Sequence, residues 1–136
     1  MLEPVIPSDH PGRRELVALR VELESCWCAD TSFWPELWTP AHPSVGQCAV
    51  TALVVSDRFG GEILRTVNQD VVHYWNRLSG VDVDLTRDQF ERWSPQEDLA
   101  EISHAELASS GPTLGPRYQR LAAALHAKPR PRDPST

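Results

Sequence analysis

Gly46-Gln47-Cys48-Ala49-Val50-Thr51-Ala52-Leu53-Val54-Val55 is apolar nearly all round, which predicts a buried helix with a cysteine at its start. Ser44 and Gln47 form an S-x-x-Q capping signature before it, and Phe59-Gly60-Gly61 offers a left-handed glycine stop after it. On that phasing Cys48 occupies the fourth helical position. The first amides of a helix are unpaired and its dipole is positive there, so a thiolate at this end is stabilised and its pKa falls. Gly46 removes a side chain where a substrate would approach.

Three extended segments rich in β-branched and aromatic residues follow: Ile63–Val67, Val71–Leu78 and Val81–Thr86. Asn68-Gln69-Asp70 and Ser79-Gly80 between them are turn chemistry, which predicts an antiparallel meander. With Ser79-Gly80 as a two-residue turn, Leu78 faces Val81, Trp75 faces Asp84 and His73 faces Thr86. Side-chain alternation then puts His73, Trp75, Asp82 and Asp84 on one face. Asp84 is the diagonal neighbour of His73, while Asp82 lies nearer the turn.

Upstream, Leu16, Leu19 and Leu23 recur at helical spacing, giving an amphipathic helix from Gly12 to about Ser25. Arg13, Arg14, Glu15, Arg20, Glu22 and Glu24 read as its solvated face. Between Cys26 and Pro43 the prolines break regular structure, and Trp27, Phe33, Trp34 and Trp38 need burial, so this loop is expected to pack over the central helix. Downstream, Thr86 with Gln89, Ser94-Pro95-Gln96-Glu97, and Ser103 with Glu106 are cap signatures for short helices, the last two placing helical turns within Leu99–Ala108. Gly111-Pro112 and Gly115-Pro116 break the chain before a final helix, Arg117–Ala127. The class expected is α+β: a buried helix on a three-stranded antiparallel meander, with flanking helices, in one domain over 1–127. Residues 128–136 are expected to be a disordered proline-rich tail.

The 136 residues suit one domain, and a net charge of −6 argues against a nucleic-acid partner. No apolar run approaches the roughly 20 residues of a membrane span, and the N-terminus lacks a signal-peptide pattern, so a cytoplasmic protein is expected. Cys26, Cys28 and Cys48 are an odd set that reads as free thiols. Cys26-Trp27-Cys28 lacks the spacing of a zinc site, so neither metal nor cofactor is expected; a site shared by all three cysteines is the rival that zinc analysis would remove.

A cysteine nucleophile needs a base and a group that orients the base, and Cys48, His73 and Asp84 offer these roles, with the strand histidine facing the helix-start cysteine. The Cys48 amide, with Gln47 as second donor, could form an oxyanion site. Trp27, Trp38 and Trp75 are the candidates to shape the pocket. His10, His42, His104 and His126 fall in loops or on surface helices. The alternative is that Cys48 and His73 are ordinary core residues of a binding or regulatory module.

Cys26-Trp27-Cys28-Ala29-Asp30-Thr31-Ser32, Pro43 to Val55, Phe59-Gly60-Gly61, His73 to Leu78 and Asp84 to Phe90 together resemble the YunG family of small bacterial proteins. That likeness identifies relatives and implies no particular reaction. More broadly, a helix-start cysteine, a His-x-Trp strand and an Asp-x-Thr strand are similar to the core of the transglutaminase and papain-like superfamily. The likeness implies a compact fold of that kind, Cys48, His73 and Asp84 as its triad, and a peptide, protein or small amide or ester as substrate. The chain departs from the pattern in being short, in having 25 residues from the cysteine to the histidine, and in carrying Leu85 where proline is common.

Overall fold

Residues 2–127 are described by the computed structural model, and the expected tail lies outside the described residues. Helix α1, Arg13–Cys26, buries Leu16, Leu19 and Leu23. Helix α2, Cys48–Phe59, buries every side chain from Cys48 to Val55. Fully enclosed residues such as Val50, Leu53 and Val55 each contribute about 1.5–3 kcal/mol of hydrophobic stabilisation. Strands β1 (Glu62–Asn68), β2 (Val71–Leu78), β3 (Val81–Val83) and β4 (Ala100–Ile102) form one antiparallel sheet in the order β3-β2-β1-β4. Helices α3 (His104–Ala108) and α4 (Leu114–Ala127) add Leu107, Leu114, Leu121 and Leu125 to the α2 core.

The class is α+β, as the sequence implies, and the meander has the expected register: Leu78 pairs with Val81 and Asn76 with Val83. Both turns are two-residue loops whose central residues, Gln69-Asp70 and Ser79-Gly80, all have positive φ, the conformation that matches strand twist.

Several boundaries differ from expectation. The strand from Val81 stops at Val83, and Asp84 instead makes an isolated bridge to Val5. Ala100–Ile102 is no helix but the fourth strand, because it satisfies the free edge of β1. Ser94 caps nothing: its amide donates to Asn68 Oδ1 at 2.7 Å, and Pro95 bridges Asn68. Ser103 and Glu106 do form their reciprocal box at α3. Helix α4 starts at Leu114, since a proline in the first turn sacrifices no helical hydrogen bond. Arg20 leaves the solvated face of α1: only 8% exposed, it donates to the Leu85 carbonyl at 2.6 Å and forks onto Asp88 at 2.6 and 3.0 Å. Among the described residues no helix is long and apolar enough to cross a membrane.

Candidate active site

Asp84 sits where β3 ends, and the turn beyond it surrounds its carboxylate with donors. Oδ1 accepts from the Thr86 amide at 3.1 Å and the Thr86 hydroxyl at 3.4 Å. Oδ2 accepts from Arg87 Nε at 2.7 Å and contacts His73 Nε2 at 2.6 Å. The histidine and the aspartate are both fully buried. Trp75 stacks on the His73 ring, while Phe90 and Trp93 close its edges at centroid distances of 4.9 and 5.7 Å. Arg87 is held over Trp93 at 3.6 Å, a cation–π contact that keeps its guanidinium beside Asp84.

Asn76 points at α2, donating to the Ala52 carbonyl at 3.0 Å. Alternation along β2 therefore turns His73 and Trp75 to the opposite face, under Phe90 and Trp93. The expectation that His73 faces the helix across the sheet is corrected accordingly. Cys48 meets it at the edge of β2 that β3, ending at Val83, leaves open. There the sulfur donates to the Val72 carbonyl at 3.9 Å, and the His73 ring and the Tyr74 amide are near enough to act on the thiol's ionisation. With Nε2 engaged by Asp84, the ring offers Nδ1 to the thiol. Gln89 Nε2 stands 3.1 Å from that same nitrogen. A neutral ring accepts from this amide; an imidazolium needs Gln89 to turn its oxygen inward or to yield Nδ1 to the sulfur.

Burial works against every charge here, and the partners outweigh it. Burial pushes the Cys48 thiol up, but the hydrogen bond and charge of His73, then the Tyr74 amide, bring it below its ordinary value. Burial lowers His73, yet the charge and hydrogen bond of Asp84, then Cys48, raise it to about 9. Burial raises Asp84, but His73 and Arg87 hold it below the usual carboxylate range. Each of the three shifts runs toward the charged form, because each group's partners act against its burial.

Cys48 also borders a cavity of about 380 Å³, which includes Phe33, Trp34, Gly46, Tyr74, Leu114 and Arg117 in its wall. Cys48 thus lines the cavity, whereas His73 and Asp84 are not part of its wall. The helix begins later than the capping signature implies, for Gln47 is the residue before the first turn and Cys48 is the first helical residue. No partner holds the Cys48 amide among the described residues. Gln47 is neither cap nor oxyanion donor: fully buried, it accepts from Thr31 Oγ1 at 2.8 Å and donates to the Cys28 carbonyl at 3.1 Å.

The tryptophans named for the pocket lie elsewhere. Trp27 is in the core, donating to Thr51 Oγ1 at 3.0 Å, Trp38 donates to the Pro43 carbonyl at 2.9 Å, and Trp75 is behind His73. Phe33 and Trp34 take that place, brought in by Gly46: its φ is +73°, and a side chain there would overlap Ser32 and stand 2.9 Å from the Phe33 amide. Phe33 and Trp34 belong to the loop, Cys26 to Pro43, expected to pack over the central helix, whereas Arg87 and Arg117 carry no local sequence signal for a site. Cys26, Cys28 and Cys48 are free thiols, and among the described residues no three His, Cys, Asp or Glu side chains are placed to hold a metal ion.

Comparison with known proteins gives a family match, described as YunG protein, over residues 15–129. A protein of Bacillus subtilis (strain 168), described as uncharacterized protein YunG, is 42% identical over 69 residues, covering 51% of this chain and 57% of that protein. The match therefore spans little more than half the length of that relative. No solved structure matches.

Proposed function

The chain belongs to the YunG family, and we propose that it performs acyl transfer through a thioester on Cys48. One observation carries the reading: Cys48 lines a cavity beside a buried histidine whose Nε2 is 2.6 Å from a buried aspartate. The Cys48 sulfur attacks the carbonyl carbon of an amide or ester, and the free Cys48 amide donates to the oxygen as it gains charge. As the tetrahedral species collapses, the carbon–nitrogen or carbon–oxygen bond breaks and the leaving group takes the His73 proton. His73, now neutral, accepts a proton from the water or amine that attacks the thioester. The product acid or amide departs and the ion pair is restored. Asp84 fixes the ring with its Nε2 hydrogen inward and stabilises the imidazolium. Hydrolysis, deamidation and transamidation share the first half of this course. In this reading the core is a compact relative of the transglutaminase and papain-like fold.

Alkylation of Cys48 by iodoacetamide, followed by peptide mass mapping between pH 5 and pH 10, tests the proposal. The expected result is a rate at pH 6 about tenfold or more above that of free cysteine, lost in His73→Ala, together with a burst of nitrophenol from 4-nitrophenyl acetate. A rate equal to that of free cysteine and unchanged in His73→Ala, with no burst, overturns it. A second reading rests on the complete enclosure of His73, which is not in the wall of the Cys48 cavity: a binding module whose Cys48, His73 and Asp84 are structural. It predicts that second set of results.

A further inference from the structure

Arg117 is a charged group on the cavity wall to which the acyl-transfer reading gives no role. It enters from the first turn of α4 and is only 9% exposed. No carboxylate pairs with it among the described residues. Nε donates to Thr113 Oγ1 at 3.3 Å, Nη1 makes a long contact to the Thr31 carbonyl at 3.5 Å, and the guanidinium lies 5.5 Å over the Phe33 ring. Those contacts fix the fork in place and leave Nη2 without a partner.

The charges around the site point the same way. Thiolate and imidazolium cancel, as do Asp84 and Arg87. The other charged residues of the cavity wall, Arg65 and Asp70, are of opposite sign; Arg65 pairs with Glu97 at 3.3 Å, and Asp70 accepts from Gln96 at 3.0 Å. Arg117 is a buried cation with no carboxylate partner among the described residues; burial lowers its pKa, and the charge of Cys48 opposes this. A carboxylate fits such a fork with two parallel charge-assisted hydrogen bonds, a geometry an ammonium could not offer. The remaining wall is largely apolar, with Val72, Leu107 and Leu114, and the volume suits a small ligand.

We infer that the cavity receives a small acyl substrate bearing a carboxylate, and that Arg117 binds this carboxylate while the Cys48 sulfur attacks the carbonyl. The inference rests on the acyl-transfer reading and narrows it to acidic substrates.

Iodoacetate and iodoacetamide form a matched pair of probes. In both reactions the Cys48 thiolate displaces iodide, one carbon–sulfur bond forming as one carbon–iodine bond breaks, and only the first reagent carries a carboxylate. The ratio of the two rates cancels the thiolate fraction, so it reports the anion site and not the ionisation of Cys48. The wild-type ratio, iodoacetate over iodoacetamide, is expected to exceed that of free cysteine by about tenfold or more, as a charge-assisted contact implies. Arg117→Gln should return it to the free-cysteine value, and Arg117→Lys, which keeps the charge without the fork, should fall between. A wild-type ratio equal to that of free cysteine, or a raised ratio that Arg117→Gln leaves unchanged, overturns the inference while rapid iodoacetamide reaction leaves the acyl-transfer reading standing. Iodoacetamide reaction no faster than free cysteine overturns both.

Discussion

Asp84→Asn removes one negative charge from a carboxylate that is 1% exposed and engaged by His73, Arg87 and Thr86. The side chain keeps its size, so the loss is electrostatic. Raising His73 from 6.5 to about 9 corresponds to about 3 kcal/mol, at about 1.4 kcal/mol per pH unit. Breaking a buried charge pair by removing one partner costs about 3–5 kcal/mol, and the amide can keep part of the Thr86 contact, so about 3 kcal/mol is expected. The pH dependence has a definite sign. His73 binds its proton more tightly in the folded protein, so its contribution is complete below pH 6.5 and is lost as pH rises through about 9. Asp84 binds its proton less tightly when folded, so its contribution is present above pH 3.8 and is lost as pH falls through its depressed value. Urea unfolding followed by tryptophan fluorescence from pH 3 to pH 10 reads both limbs, and the Asn variant should flatten each. Its Cys48 should also need a higher pH to be alkylated, since burial now acts on His73 without an opposing charge. A loss below about 1 kcal/mol, or a pH curve parallel to the wild type, would refute the assignment of this charge as the one that sets the state of His73.

Gly46→Ala forces a residue with a Cβ into φ +73° against Ser32 and the Phe33 amide, and should lose about 3 kcal/mol or more in urea unfolding; a loss below about 1 kcal/mol would show that the Ser32–Trp34 loop is free to retreat. Arg20→Met keeps an apolar stem but abandons Asp88, the Leu85 carbonyl and the guanidinium's place over Trp27, and should cost about 2–3 kcal/mol, measured the same way. An unchanged midpoint would return Arg20 to the solvated face that the pattern of α1 suggests.

What could be read from the sequence was what is settled locally. The buried helix announces itself by composition, and the preference for Asp84 over Asp82 comes from the register of a two-residue turn, which sets Asp84 diagonal to His73, and from the Asp-Leu-Thr likeness: Asp82 pairs with Arg77 at 2.8 Å while Asp84 reaches His73. Three things were settled elsewhere. Gln47 carries a helix-cap signature, but once enclosed its amide must be satisfied, and Thr31 and the Cys28 carbonyl do this across a long loop. Tryptophans in a proline-broken loop declare that they need burial without saying against what, so Trp27 entered the core and Phe33 and Trp34 reached the cavity. Arg117 lies 69 residues from Cys48 on a different element, and only tertiary packing of α4 brings the two to one wall.

The division of labour within the domain bears on why such groups are buried at all. Stability comes from the apolar cluster that α1, α2 and α4 share with the sheet, where Leu16, Leu23, Leu53 and Leu121 are fully enclosed. The site lies at the end of α2 and the open edge of β2, where Cys48, His73, Asp84 and Arg87 replace what apolar side chains of like volume would fill at least as stably. Their arrangement is satisfied step by step: Thr86 and Arg87 hold Asp84, Asp84 holds His73, and the charge of His73 lowers the pKa of the Cys48 thiol. The order runs inward from the polypeptide to one thiol and stops at the cavity, beside an arginine with no carboxylate partner among the described residues. A network built for stability alone would end on a closed pair; this one ends on a thiol and a guanidinium lining the same small volume.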